Sequence, residues 1–263
     1  MIFIQQYGAR RTGTHYIQNL IEYNFVNVLV MSGFPNGLAG KHHKPRDPEG
    51  YKKAFFPNWP SVDAVVKEIF EGLCESNQEL FKELALATLS EQIINLVIVK
   101  NPYSWFESLY RWTKNCNEEA KSYPLRAAML SQKKDFKLTD ELVYKEIISY
   151  NERYRAWIDT ADCLIKYEDL LNKATRNKFL ESLEERYNLI RNSKELIDIT
   201  FGSDPMPIKN KLINPDWDYS DYYLNEKYLT NLSQNTVDVI TEAVDWGLLE
   251  PLGYGRQKKQ NNP

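Results

Sequence analysis

Hydrophobic positions near the N-terminus change from a short run to a helical spacing. The run MIFIQQ at residues 1–6 predicts a strand. Ile17, Leu20 and Ile21 then recur at the spacing of one helix face, which predicts a helix. The loop YGARRTGTHY, residues 7–16, therefore joins a strand to a helix.

This alternation of strands and helices continues along the chain. It predicts an α/β fold with a central parallel sheet flanked by helices, in which ligands bind at the carboxyl ends of the strands. The further segments are VNVLVM (strand), IINLVIVK (central strand), NPYSWFESLYRW (helix), the region from about 138 to 158 (helix), DCLIKYEDLL (strand, then turn and helix) and NEKYLTNLSQNTVDVITEAVDWGLL (amphipathic helix).

A long polar segment separates the second strand from the central one. Residues 32–60 are rich in Gly, Pro and Lys, which predicts a loop that is either functional or disordered. A helical pattern runs from Ser61 to about Leu89, and residues 256–263 predict a flexible, solvated tail. Because no repeat or linker is evident, we expect a single domain over residues 1–263 with helical insertions.

Composition limits the possible classes of function. A hydrophobic fraction of 43% and a charged fraction of 26% are those of an ordinary soluble protein. The net charge of −3 argues against a nucleic-acid partner. No segment approaches the ~20 apolar residues of a membrane span, and no secretory signal is apparent, so we expect a cytoplasmic protein. The three cysteines and three histidines have no metal-ligand spacing, so we expect no metal.

The loop at residues 7–16 has half of a phosphate-binding motif. Gly8 and Gly13 keep the glycine spacing of the P-loop pattern GxxxxGK[ST], but Thr14 replaces its lysine and His15 replaces its Ser or Thr. The groups that bind a γ-phosphate and magnesium are therefore missing.

A simpler anion site remains in that loop. The N-terminus of a helix attracts anions, and Arg10 and Arg11 add positive charge, so the loop suits a single phosphate. The alternative is a tight turn capped by Thr12 with two solvated arginines.

Four segments in order resemble the sulfotransferase family. RRTGTHY resembles its 5′-phosphosulfate loop, PKSGTTW, and keeps Gly13 and Thr14. VKNPYSWFESLY resembles its 3′-phosphate strand and helix, in which Lys100, Pro102 and Ser108 stand at the offsets of the family's Arg, Pro and Ser. IKYEDLL resembles its YEDL stretch, and YLNEKYL followed by LGY is similar to the ends of many bacterial members. The resemblance extends from about residue 2 to 254.

The family transfers a sulfuryl group from 3′-phosphoadenosine-5′-phosphosulfate (PAPS) to a hydroxyl or amine. The resemblance implies a three-layer, P-loop-NTPase-like domain and a donor with one phosphate at each end. It gives Arg11 the role of a lysine that stabilises charge on the bridging oxygen, with Arg10 as a solvent-facing neighbour. The expected 5′-phosphate contacts are Thr12, Gly13, Thr14 and His15.

The resemblance also implies contacts for the rest of the donor. Lys100 and Ser108 are expected to hold the 3′-phosphate, and Tyr16 and Tyr167 to lie beside the adenine. Core packing is an alternative for Tyr16. Three cations could supplement the 3′-phosphate site: Lys209, Lys211 and Arg256. Glu168 and Asp169, which follow Tyr167, are expected to cap the next helix rather than to contact the donor.

A general base must accept the proton of the acceptor. GKHHKP resembles the lysine-any-histidine stretch of cytosolic members, which indicates His43, whereas a lysine-histidine alignment indicates His42. Asp47 and Glu49 are alternatives, because other branches use a carboxylate. Both histidines could also simply be exposed loop residues.

The sequence thus predicts a sulfotransferase that uses PAPS without a metal and acts on a small glycan or metabolite. One rival is a nucleotide or small-molecule kinase of related fold, which should need a loop lysine and magnesium. The other is a non-catalytic nucleotide-binding protein.

Overall fold

The computed structural model describes residues 2–31, 93–115, 124–132, 136–197 and 219–257. The expected loop at 32–60, the helix expected from Ser61 and residues 258–263 of the expected tail lie outside these ranges. So do six site candidates: His42, His43, Asp47, Glu49, Lys209 and Lys211.

The described strands form one sheet in which all neighbours run parallel. Their order across the sheet is β2-β1-β3-β4. The strands are β1 (Ile2–Tyr7), β2 (Val28–Met31), β3 (Ile93–Val99) and β4 (Cys163–Lys166). The predicted parallel sheet is confirmed, and β3 is central as its continuous apolar run predicts.

Nine α-helices and two short 3-10 helices accompany the sheet within these ranges. The prediction of an α/β fold with helices flanking a parallel sheet is confirmed. The α-helices are α1 (Thr14–Asn24), α2 (Pro102–Asn115), α3 (Pro124–Gln132), α4 (Asp140–Ile158), α5 (Tyr167–Leu171), α6 (Lys173–Tyr187), α7 (Tyr219–Leu224), α8 (Gln234–Ala243) and α9 (Trp246–Leu249). The 3-10 helices are Lys227–Asn231 and Glu250–Leu252.

The C-terminal segment differs from its prediction as one amphipathic helix. It divides into the 3-10 helix Lys227–Asn231 and the separate helices α8 and α9. Ser233 caps the start of α8, because its side chain accepts a hydrogen bond from the backbone N–H of Thr236. Val244 has an extended backbone and ends α8. The hydrophobic pattern alone did not predict these two helix boundaries.

The strand order sends the chain in opposite directions from the two middle strands. From β1 it passes through α1 to β2 on one side, and from β3 it passes through α2 to α4 and reaches β4 on the other. Because such connections are right-handed, α1 and the α2–α4 group belong on opposite faces. The carboxyl ends of β1 and β3 therefore flank the crevice in which open α/β sheets bind ligands.

Aromatic side chains from the helices support the carboxyl end of β3. The hydroxyl of Tyr150 donates to the carbonyl of Lys100 at 2.6 Å, and that of Tyr154 donates to the carbonyl of Ile98 at 2.9 Å. The ring centres of Tyr150 and Tyr154 are 4.4 Å apart, and Trp105 packs 4.8 Å from Tyr150. All three rings are completely buried. They fix the backbone where β3 ends.

Candidate functional site

The loop after β1 contains two residues in the left-handed conformation. The backbone φ is 72° at Arg11 and 81° at Gly13. Glycine adopts this conformation freely, whereas for arginine it is uncommon. Gly13 is the N-cap residue of α1, and no side chain caps this helix. Thr12 therefore does not cap α1, although the tight turn of that alternative is present.

Thr12 holds the loop closed from inside. Its side chain is fully buried, and its hydroxyl donates to the carbonyl of Ala9 at 2.7 Å. A Cβ atom at Gly8 would lie 2.6 Å from that hydroxyl oxygen, so glycine is needed at position 8. The hydroxyl of Thr12, which was expected to contact a 5′-phosphate, is engaged within the loop instead.

The two loop arginines have different environments. Arg11 is exposed. Arg10 is half-buried: its guanidinium lies 5.4 Å from the centre of the Trp112 ring, and its carbonyl accepts a hydrogen bond from Trp105 Nε1 at 2.9 Å. The expectation of a solvent-facing Arg10 is corrected by this packing. Arg11 is thus the cation that the loop presents to solvent.

Lys100, directly after β3, extends towards the loop after β1. Its Nζ donates to the carbonyl oxygen of Arg11 at 3.2 Å, although the residue is only 1% exposed. The same nitrogen lies 4.3 Å from the centre of the Tyr167 ring and 3.9 Å from that of Tyr223. Burial lowers the pKa of Lys100, while the neighbouring Tyr223 and Glu168 oppose this effect. A buried cation therefore lies beneath the loop.

Tyr223 connects Lys100 with Ser108 on α2. Ser108 is buried, and its hydroxyl acts to lower the pKa of Tyr223. Arg111, one turn further along α2, places Nη2 3.4 Å from the Tyr223 hydroxyl. Burial acts to raise the pKa of Tyr223, but the charges of Lys100 and Arg111 outweigh it, so the pKa lies below its ordinary value. Two cationic side chains thus adjoin this phenol, Lys100 at its ring and Arg111 at its hydroxyl.

Tyr167 forms an aromatic wall against the loop. A Cβ at Gly13 would lie 2.7 Å from both Cδ2 and Cε2 of Tyr167. The Tyr167 ring also meets the ring of Tyr223 edge to face, with centres 5.2 Å apart. The residue is 4% exposed. Tyr167 therefore covers both the start of α1 and the ammonium group of Lys100.

The remaining predicted loop contacts divide into buried and exposed residues. Tyr16 is buried, and its hydroxyl accepts a hydrogen bond from Arg176 Nη1 at 3.1 Å, which favours the core-packing alternative. Thr14 is also buried, whereas His15 is exposed. Arg256 contacts Glu250 at 3.8 Å.

Glu168 fastens the end of β3 to the C-terminal segment. One carboxylate oxygen accepts from the backbone N–H of Asn101 at 3.2 Å, and the other accepts from the Tyr254 hydroxyl at 2.7 Å. Burial raises the pKa of Glu168, and the bond from Tyr254 acts in the opposite direction. The next helix, α6, is capped by Asn172 and not by Glu168 or Asp169, so that expectation is wrong.

Sequence reasoning missed Arg111 and Tyr223. Their contact joins residues 112 positions apart. Tyr223 begins the YLNEKYL segment, but that resemblance gave it no role in the site, and Arg111 follows the last residue of the VKNPYSWFESLY segment. The only available signal for Arg111 was its place on the same helix face as Ser108, three residues earlier.

Two searches of the described residues found nothing. They contain no group of three or more His, Cys, Asp or Glu side chains that could hold a metal ion. None of their helices is long and apolar enough to cross a membrane. Comparison with protein-family models, with curated proteins and with solved structures gives no match.

Proposed function

We propose that the protein is a sulfotransferase that uses PAPS as its donor. The observation that carries this proposal is the contact between Lys100 and the loop at Arg11. The sequence resemblance assigns these two segments to opposite ends of one nucleotide, and they meet in the crevice between β1 and β3. In this proposal the parallel sheet is that of a three-layer, P-loop-NTPase-like domain.

The composition of the loop favours a single phosphate over a triphosphate with magnesium. The position of the P-loop lysine holds Thr14, which is buried against the strand end with its Cγ2 3.0 Å from where a Gly8 Cβ would lie. The next position holds the exposed His15 rather than a hydroxyl residue. The N-terminus of α1 and Arg11 remain as anion-binding groups.

Arg11 is assigned to the reacting end of the donor. In the reaction, an acceptor oxygen or nitrogen forms a bond to sulfur while the bond from sulfur to the bridging oxygen breaks, and 3′-phosphoadenosine-5′-phosphate leaves. A guanidinium beside the bridging oxygen stabilises its developing charge without giving up a proton. The acceptor's proton passes to a base, for which His42 and His43 remain the candidates and Asp47 and Glu49 the alternatives.

Lys100 and Ser108 are assigned to the other end of the donor. Both are buried, so their interactions with an anion are little weakened by water. Tyr167, which covers the loop, supplies a ring for the adenine to contact. The acceptor is proposed to be a small glycan or metabolite, and the protein to act in the cytoplasm.

Transfer of labelled groups tests this function against its rivals. The protein is incubated in EDTA with ³⁵S-labelled PAPS and pooled sugars and hydroxylated metabolites, and in parallel with γ-³²P-ATP and magnesium. We expect ³⁵S to appear in acceptor products without a metal. Transfer of ³²P alone would identify a kinase. Tight binding of the bisphosphate without transfer to any acceptor would favour a non-catalytic nucleotide-binding protein.

A further inference from the structure

Two cationic side chains and one buried hydroxyl lie near the phenol of Tyr223. Arg111 Nη2 is 3.4 Å from the phenol oxygen, the Lys100 ammonium lies 3.9 Å from the ring centre, and the Ser108 hydroxyl acts to lower the pKa of Tyr223. Two positive side chains and one hydroxyl grouped around one phenol match the oxygens of a phosphate group, which can accept several charge-assisted hydrogen bonds.

Arg111 is held in a position from which it can reach such an anion. Its Nη2 lies 3.5 Å from the carboxylate of Glu107, which is 3% exposed, and its guanidinium carbon lies 5.4 Å from the centre of the Tyr222 ring. The Arg111 side chain itself is 31% exposed, so it also meets solvent. Ser108 and Arg111 are three residues apart on α2 and therefore share a face.

We propose that Arg111 is a third ligand of the donor's 3′-phosphate, and that this phosphate displaces the hydroxyl of Tyr223 from the position it occupies in this structure. The proposal rests on the proposed function, since it names a further residue of the same donor site. Arginine is well suited to the task because its planar fork can bind two phosphate oxygens. It would compensate for lysine at the position where the family has arginine.

In this geometry, the hydroxyl of Tyr223 competes with the 3′-phosphate for the same position. Its hydroxyl must leave before phosphate oxygens can contact Lys100, Ser108 and Arg111 together. Removing that hydroxyl leaves the ring contacts with Tyr167 in place, since these involve carbon atoms. Tyr223→Phe should therefore strengthen binding of the bisphosphate without changing the packing of α7.

Calorimetric titrations with two nucleotides test the proposal. The ligands are 3′-phosphoadenosine-5′-phosphate and AMP, which differ only in the 3′-phosphate, and the proteins are wild type, Arg111→Gln, Tyr223→Phe and the distant control Arg155→Gln. Arg155 is 62% exposed and pairs with Asp245. We expect Arg111→Gln to weaken binding of the bisphosphate by about 10- to 100-fold and to leave the affinity for AMP unchanged. Tyr223→Phe should raise the affinity for the bisphosphate several-fold, and the Arg155→Gln control should bind both nucleotides as tightly as wild type does.

The outcomes separate this inference from the function on which it rests. Wild type that does not distinguish the bisphosphate from AMP would remove the proposed donor site as a whole. Wild type that prefers the bisphosphate, combined with an Arg111→Gln variant that keeps this preference, would overturn the role of Arg111 alone. If Arg111→Gln fails to fold, Tyr223→Phe decides: weaker bisphosphate binding in that variant would contradict displacement of the hydroxyl.

Discussion

The ring of Tyr167 lies so close to Gly13 that a Cβ atom at position 13 would be 2.7 Å from two of its ring carbons. The contact joins the start of α1 to the start of α5, two elements that follow different strands of the sheet. The same ring also contacts Lys100, whose ammonium group lies 4.3 Å from the ring centre, so Tyr167 links the loop with Arg11 to Lys100.

Gly13→Ala should therefore destabilise the protein and weaken donor binding. The left-handed backbone alone costs a non-glycine residue about 1–2 kcal/mol, and the clash with Tyr167 adds to this. Denaturant unfolding measures the loss of free energy. Gly255→Ala is the matched control, because a Cβ there meets nothing within 4 Å. Equal stability of the two variants would contradict the tight packing at Gly13.

Arg11→Ala should reduce turnover far more than donor affinity. Loss of a group that stabilises charge in the transition state typically costs about 100-fold or more in kcat, whereas the donor retains its contacts at both phosphates. Steady-state kinetics and titration of the bisphosphate give the two values. Arg10→Ala is the comparison: because Arg10 packs on Trp112, this variant should lose stability more than turnover. If Arg10→Ala instead loses mainly turnover and Arg11→Ala mainly stability, the catalytic role would belong to Arg10.

Lys100→Met should separate stability from ligand binding. Burial lowers the pKa of Lys100, so the folded state is penalised for holding the ammonium, and a methionine of similar length removes this penalty. We expect folding to be retained and bisphosphate affinity to fall about 10- to 100-fold. Lys166→Met, which removes a half-exposed partner of Asp169, should leave affinity unchanged. Retained affinity in Lys100→Met would remove this residue from the donor site.

Glu146→Gln should stabilise the protein more at alkaline than at acidic pH. Glu146 is fully buried, and burial raises its pKa to about 7 from an ordinary 4.5. Between these values the folded state keeps a proton that the unfolded state loses, so wild-type stability falls as pH rises through this window. Above it the penalty reaches at most about 3 kcal/mol. Glutamine removes the ionisation and can still accept from Leu125 N–H, which lies 2.6 Å from Oε1.

Thermal midpoints at pH 5 and pH 8.5 check this expectation. The gain from Glu146→Gln should grow between the two values. Glu141→Gln serves as the control, because Glu141 is exposed and its hydrogen bond with Lys145 lowers its pKa. Its effect should be the same at both pH values. A parallel response of the two variants would show that Glu146 does not titrate in this range.

The sequence predicted those parts of the fold that depend on short-range pattern. The β1 segment, the loop through Gly13 and the apolar run of β3 were all identifiable, because each has a local signature. Lys100, Ser108 and Arg11 were assigned to one donor by the resemblance to the sulfotransferase family, and not by a pattern of their own. The rule that parallel strands present their carboxyl ends at one edge of the sheet then predicts that the two segments lie close together.

The remaining features depend on contacts between distant parts of the chain. The meeting of Arg111 with Tyr223 depends on how α7 packs across α2, and no local pattern encodes it. The resemblance assigned Thr12 to the 5′-phosphate, but the tight turn engages its hydroxyl with the carbonyl of Ala9. The capping role expected of Glu168 was wrong because the residue is drawn into the core by Tyr254.

Titration of 3′-phosphoadenosine-5′-phosphate into the wild-type protein in EDTA, beside ATP with magnesium and AMP, tests the central claim most directly. The account predicts that the bisphosphate binds without a metal and more tightly than either of the other nucleotides. Binding of ATP only in the presence of magnesium, with no preference for the bisphosphate over AMP, would contradict it.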